Sequence, residues 1–175
     1  CVSYCENKGG LALEVTTDVL EKISRKDNPQ SVIGVFEQRI FTPENIKYDT
    51  ARCYVVLEQV RDPGNLGTII RTVDAIGADG VILVDGCCDP FSVEAVRATM
   101  GSVFNVPLYQ LSRAEFTEWV AKWQGDIIGT TLQSSVDFRK VAPKLPILLL
   151  MGNEQAGLSE DLREIATHCI RLPMN

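Results

Sequence analysis

An amide and a guanidinium, Asn65 and Arg71, stand six residues apart in the stretch VRDPGNLGTIIRT, and a carboxylate, Glu154, stands in LLLMGNEQAGLS. These three groups can orient a hydroxyl, clamp a phosphate or stabilise a developing oxyanion, and the glycines beside them let a backbone or a ligand come close. Each residue also has an ordinary reading. Pro63 and Gly64 can form a tight turn with Asn65 capping the next helix, Arg71 can pair with Asp74, and Glu154 can be a solvated carboxylate in a second turn. Gly67 is harder to explain this way, because a glycine within a helix costs about 1 kcal/mol against alanine unless something must approach closely. Arg71 is harder still, since it sits as a buried-looking cation in an otherwise apolar run.

Neither glycine loop matches a standard phosphate cradle. A Walker loop needs a lysine followed by Ser or Thr after its second glycine, and RDPGNLG has none. The G-x-G-x-x-G dinucleotide fingerprint is missing as well, which counts against an ordinary nicotinamide domain.

The elements that must carry these loops alternate from Arg52 onward. CYVVLEQV predicts a strand and NLGTIIRTVDAIG a helix ending at Gly77; GVILVDG predicts the next strand, and Asp89 with Pro90 can start a helix through Val96. VPLYQL is a short strand, and Ser112 with Glu115 forms a capping box for AEFTEWVAKW. DIIGTT and PILLLMG are further strands, the second apolar throughout as at the centre of a parallel sheet; LSEDLREIATH is a helix capped by Ser159, and CIRLPM a last strand. Repeated strand–helix units of this kind predict an α/β fold, a mostly parallel sheet with helices on both faces and ligands beyond the carboxyl ends of the strands. Both loops then fall where ligands bind. Before Arg52, residues 11–37 predict a helix capped by Thr17 and a strand SVIGVFE, and the turn-rich residues 41–51 read as a linker between residues 1–40 and a domain over 52–175.

Composition limits the partners. With 175 residues and 45% hydrophobic content, the chain suffices for one full domain and part of another. A net charge of -6 has the wrong sign for nucleic-acid binding through a broad basic face, so an RNA reading must rest on local patches. No apolar run is long enough to span a membrane, CVSYCENKGG lacks the pattern of a signal peptide, and a start at Cys1 suggests a fragment. Cys1, Cys5, Cys53, Cys87, Cys88 and Cys169 have no zinc-ligand spacing and read as reduced thiols of an intracellular protein, with Cys53 and Cys169 on buried strands. His168, the lone histidine, reads as a solvated strand-edge residue, and no metal is expected.

Taken together, VRDPGNLGTIIRT resembles motif 1, LLLMGNEQAGLS motif 2 and CIRLPMN the beginning of motif 3 of the SpoU (TrmH-type) RNA ribose 2'-O-methyltransferases of the SPOUT superfamily. ATMGSVFNVPLY also resembles the family, and EVTTDVLEKISRKDNPQSVIGVF is similar to the end of an L30e-like RNA-binding domain with its linker strand. Two motifs in this order, about 90 residues apart, are far more specific than either alone. The resemblance implies catalytic roles for Asn65 and Arg71, with Glu154 supporting the site. It implies S-adenosylmethionine held in a bent form by backbone groups at Thr130, Thr131 and Leu132, at the loop of Gly152, Asn153 and Glu154, and at Leu172 and Met174. It further implies a C-terminal trefoil knot, a homodimer whose interface lies beside the cofactor, and a cytoplasmic RNA substrate. Ribosomal RNA is mildly preferred over transfer RNA because of the L30e-like segment. Arg61, Arg97 and Ser102 are weaker candidates for phosphate contacts, each equally readable as a surface residue or a helix-end interaction.

The chemistry suits these residue types. The methyl group of S-adenosylmethionine already sits on a sulfonium leaving group, so the protein mainly has to align a ribose hydroxyl and help it lose a proton. Arginine stays protonated, which favours Arg71 as a clamp on phosphate or developing alkoxide, although the family is often described with that arginine as the base. Asn65 can orient either the arginine or the ribose. Motif 3 of the family continues into a serine, a leucine and an asparagine on a further helix, whereas this sequence stops at Asn175. The expectation is a chain lacking the knot segment, with weak cofactor binding and no methylation by itself. A non-catalytic RNA-binding module of the same fold and a metabolic nucleotide-binding α/β enzyme are the competing classes.

Overall fold

Tyr54, Val55, Val56 and Leu57 are all buried, and so are Val81, Ile82, Leu83 and Val84. A strand can bury consecutive side chains only when both faces of its sheet are covered. In the computed structural model, which describes residues 2–46, 52–133 and 135–173, they belong to β1 (Cys53–Glu58) and β2 (Gly80–Val84). The remaining strands are β3 (Leu108–Leu111), β4 (Asp126–Thr130), β5 (Val136–Asp137), β6 (Ile147–Met151) and β7 (His168–Arg171). They form one sheet in the order β3-β2-β1-β6-β4-β7-β5, and every described pairing is parallel.

Alternate side chains separate into two cores. On one face Tyr54, Val56, Ile82, Val84, Leu148 and Leu150 pack with Phe116, Trp119 and Val120 of α5 (Arg113–Val120) and Leu162 of α6 (Glu160–Glu164). On the other, Val55, Leu57, Val81, Leu83 and Leu108 pack with Leu66, Ile70 and Val73 of α3 (Pro63–Ile76). Those three helix residues stand at the spacing of one apolar stripe, and full burial of each contributes about 1.5–3 kcal/mol. The expected α/β sheet with helices on both faces is present, with the all-apolar PILLLMG strand at its centre as β6.

Local corrections concern where elements start. The α3 cap is Asp62, whose side chain accepts the Asn65 backbone N–H at 2.7 Å, with Pro63 at the first helical position; Asn65 is therefore inside the helix rather than its cap. Gly77 closes α3 in the left-handed conformation, as expected. α4 (Val93–Thr99) starts after Ser92, whose hydroxyl accepts from Ala95, while Asp89 caps only the turn before it. The Ser112–Glu115 capping box on α5 is present. α6 is shorter than LSEDLREIATH, and the two-residue β5 was not expected from the sequence.

The chain divides into two units, Cys1–Glu37 and Gln38–Asn175. The first contains α1 (Val2–Asn7) and α2 (Thr17–Ser24), whose N-cap is Thr16 rather than Thr17. SVIGVFE forms no strand: no described strand pairs with it, and Val35 and Phe36 are exposed. In the second unit, Phe41 pairs in parallel with Tyr109 of β3, its ring tilted 45° against the tyrosine ring with centroids 5.9 Å apart, and Ile46 is buried. Residues 47–51 of the expected linker lie outside the described residues.

Candidate active site at the ends of β1 and β6

The chain runs from β1 outward to β2 and β3, then returns across the sheet to place β6 on the other side of β1. Such a reversal leaves a crevice beyond the strand ends, where α/β proteins bind ligands. A groove of about 600 Å³ lies there, lined after β1 by Gln59, Arg61, Asp62 and Asn65, and after β6 by Asn153, Glu154, Gln155 and Ala156. Both loops expected to carry chemistry thus meet in one place.

Asn65 reaches the groove because Asp62 has taken over the cap, leaving its own side chain unused by the helix. Its Nδ2 donates to Glu154 Oε1 at 3.2 Å. An ionised carboxylate only accepts, so this bond fixes which end of the Asn65 amide faces the groove: the carbonyl oxygen. Glu154 Oε2 in turn accepts from Asn153 Nδ2 at 3.3 Å. Glu154 is therefore a partnered residue and not merely a solvated one.

The β6 loop holds its own shape. Asn153 and Gly157 exchange both backbone hydrogen bonds, at 3.1 and 2.9 Å. The side-chain oxygen of Asn153 accepts from Gln155 and Ala156, and its nitrogen donates to the Gln59 carbonyl at 3.0 Å as well as to Glu154. All four hydrogen-bonding positions of that amide are occupied and its backbone N–H donates to Gly157, so Asn153 shapes the loop and keeps only a second lone pair on its main-chain carbonyl for a ligand. A Cβ on Gly152 would stand 2.2 Å from the Gly157 carbonyl oxygen, which explains why the turn needs glycine there.

Arg71 lies elsewhere. It is exposed, does not line the groove, and has no described ion pair, with Asp74 or any other acid; Asp74 instead accepts from Asn105 at 3.5 Å. Six residues at about 100° each turn it well away from Asn65, roughly 9 Å along the helix. The buried-looking cation of the sequence faces solvent. Gly67 is buried for a different reason from the one its position suggested: a Cβ would meet the Ala95 carbonyl oxygen and the Ala98 Cβ, both at 2.5 Å. The close approach is that of α4.

Thr130 ends β4 with Thr131 and Leu132 just beyond it, Gly152 follows β6, and Leu172 follows β7. Register sets these positions side by side, since Gly129 lies opposite both Leu150 and Cys169. Thr130 Oγ1 donates to the Leu150 carbonyl and the Thr131 N–H to the Ile170 carbonyl, both at 2.9 Å, which ties the three strand ends together. Leu132 is 80% exposed and Leu172 60%, so a main-chain ledge carries two uncovered leucines. Met174 lies outside the described residues. Of the phosphate candidates, Arg61 lines the groove and Arg97 is exposed on α4, but Ser102 is buried at the start of a 3-10 turn. His168 is exposed, 3.8 Å from Asp126. Among the described residues no group of three or more His, Cys, Asp or Glu could hold a metal ion, and no helix is long and apolar enough to cross a membrane. Cys53 and Cys169 are strand residues but only partly buried, and burial raises the Cys53 thiol pKa, as it does that of Cys87.

Three neighbouring residues escaped the sequence reading. Glu58, the last residue of β1, is 2% exposed and accepts from the Ser159 N–H at 2.8 Å and from the Arg113 guanidinium. Partial burial alone would lower the Arg113 pKa, but Glu58, with Asp85 and Asp161, leaves it raised. Gln59 adopts a left-handed φ of 54°, a conformation that costs a non-glycine residue about 1–2 kcal/mol. Two signals were available: an acid closing an apolar strand, and a cation in the first turn of a helix, where the helix dipole disfavours it.

Residues 52–175 match the model of the SpoU rRNA Methylase family. Among solved structures, the AdoMet-bound rRNA methyltransferase from Sinorhizobium meliloti is 48% identical with a TM-score of 0.93, covering 99% of this chain and 67% of that one. The SpoU methyltransferase AviRb from Streptomyces viridochromogenes, in complex with the cofactor AdoMet, is 32% identical with a TM-score of 0.67, covering 74% of this chain and 51% of that one. The 23S rRNA (guanosine(2553)-2'-O)-methyltransferase RlmP of Bacillus subtilis is 32% identical over 150 residues, 86% of this chain and 58% of that protein. The chain therefore spans somewhat over half the length of such curated relatives.

Proposed function

The chain belongs to the SpoU rRNA methylase family, and from that premise we propose that the protein methylates a ribose 2'-hydroxyl of RNA with S-adenosylmethionine as donor. The observation that carries the reading is the Asn65–Glu154 hydrogen bond in the groove between β1 and β6, which joins the two family motifs at one point. Ribosomal RNA is the preferred substrate class, as in the names of the similar proteins.

The ledge at the ends of β4, β6 and β7 fits the donor. Uncovered leucines at 132 and 172 suit the faces of an adenine ring, and the main chain of Gly152 with the carbonyls of Thr131 and Asn153 can meet its polar edge without a charged side chain. S-adenosylmethionine supplies a methyl group on a sulfonium leaving group. Asn65, held by Glu154, presents Oδ1 to the groove and accepts the hydrogen bond of the ribose 2'-hydroxyl, fixing the direction of its lone pair. Glu154 positions Asn65 and Arg61 holds a flanking phosphate. Arg71 clamps a phosphate of the RNA outside the groove, its exposed side chain being without a carboxylate partner among the described residues.

A homodimer with a C-terminal knot is part of this proposal. It is supported by the exposed apolar residues Val136 and Phe138 at the β5 edge of the sheet, beside the leucines of the ledge, which a second copy would cover. The separate unit Cys1–Glu37 is read as part of an L30e-like RNA-binding domain, and the cytoplasm as the place of action.

The test incubates full-length protein with methyl-labelled S-adenosylmethionine and bulk RNA, followed by digestion to nucleosides. A labelled 2'-O-methylnucleoside that disappears with Arg71→Ala is expected. Label in a base, or none in RNA, overturns the reading.

A further inference from the structure

Glu58 is a buried carboxylate for which the reaction has no direct use. It does not line the groove, yet it immediately precedes Gln59, which does. Its two oxygens are both engaged, Oε2 by the Ser159 backbone N–H at 2.8 Å and Oε1 by Arg113 Nη2. Arg113 also donates from Nη1 to Ser159 Oγ at 3.1 Å, its Nε stands 3.5 Å from Asp85 Oδ2, and its backbone N–H donates to Asp85 Oδ1 at 3.0 Å. A guanidinium in the first turn of α5 opposes the helix dipole, so these acids compensate for its place.

Ser159 ends the loop that begins at Gly152. At the far end of that loop, Asn153 Nδ2 donates to the Gln59 carbonyl. Two consecutive residues at the end of β1 therefore grip the loop at both ends, Glu58, the last of the strand, at Ser159 and Gln59, just beyond it, at Asn153, with Glu154 between the grips. The internal bridge from Asn153 to Gly157 sets the shape of the loop but says nothing of where it stands relative to β1. The two grips do that, together with the pairing of Met151 with Leu57 and the burial of Leu158.

We propose that Glu58 and Arg113 are positioning residues that hold the loop from Gly152 to Ser159 against the end of β1, so that Glu154 meets Asn65. The proposal rests on Asn65 and Glu154 forming the site described above. Because both charges lie away from the groove, their effect on the reaction must pass through the loop.

Full-length wild type, Glu58→Gln, Glu154→Gln and the double variant are compared in steady-state methylation of RNA, with Arg113→Gln as a second probe should Glu58→Gln fail to fold. The first reading is kcat against KM: a fall in kcat of about tenfold for Glu58→Gln, with both KM values within about twofold, is expected. The second is coupling: in the Glu154→Gln background, Glu58→Gln adds less than about twofold, because both act on one contact. The third needs no turnover. The side-chain amide resonances of Asn65, assigned by their loss in Asn65→Ala, shift in Glu58→Gln in the direction seen in Glu154→Gln. Multiplicative losses in the double variant, or unmoved Asn65 resonances, overturn the proposal. Wild-type protein that transfers no methyl group to RNA sinks the assigned function instead, and the resonance comparison still decides the positioning.

Discussion

The side-chain amide of Asn65 donates to Glu154 at 3.2 Å across 89 residues of sequence. The backbone of the same Asn65 is capped by Asp62, so one residue carries a structural bond and a separate groove-facing one. Asn65→Ala is expected to lower kcat by about 10²–10³, the usual scale for losing one preorganised polar group in a site, with little change in thermal midpoint. Asp62→Ala, by contrast, costs about 1 kcal/mol of stability through the lost cap, whatever its effect on turnover as a groove residue. Kinetics and denaturant unfolding of both variants check the division; a stability loss confined to Asn65→Ala contradicts it.

Gly67→Ala tests the packing of α3 on α4. Alanine would normally gain about 1 kcal/mol in a helix, but its Cβ here meets the Ala95 carbonyl oxygen and Ala98 at 2.5 Å. Overpacking against backbone costs about 1–3 kcal/mol, so a net destabilisation of roughly 1 kcal/mol is expected in urea unfolding. A stabilised variant would mean that α4 is not seated there.

Much of this was legible in the sequence, for definable reasons. Strands β1, β2 and β6 announce themselves because burial on two faces leaves an unbroken apolar run, and Ser112 with Glu115 marks α5 because a capping box is local. SVIGVFE shows the limit of that signal, since apolar residues form a strand only beside a partner strand. The order of strands, and with it the meeting of Asn65 and Glu154, is non-local and came into view only through the family motifs. Proximity in sequence also misled: Asn65 and Arg71 are close along the chain but diverge around the helix. Glu58 and Arg113 each carry a weak local signal, but their pairing across 55 residues is non-local and shows only when one is placed beside the other.

Asp137 offers a pH measurement. Hydrogen bonds from the Arg139 side chain, at 2.9 Å from Nε and 2.5 Å from Nη2, and from its backbone N–H hold the carboxyl down at about 2. A depressed folded value means that the associated stability is present above the unfolded value of about 3.9 and is lost as pH falls through about 2. Carbon-detected titration of Asp137 should give a midpoint near the lower figure, and Arg139→Gln should return it toward the higher. An unmoved midpoint would show that Arg139 is not the cause.

The central strand β6 pairs with β1 although Cys53 and Ile147, its first partners, stand far apart in the chain. During synthesis, β1 to β3 and their helices leave the ribosome well before β6 does. Until then β1 presents an open, apolar edge to its surroundings, which is the arrangement that invites wrong pairing. The nascent half-sheet is thus the stage most exposed to wrong pairing, and it is also a stage at which no groove exists, because one of its two walls has yet to be translated.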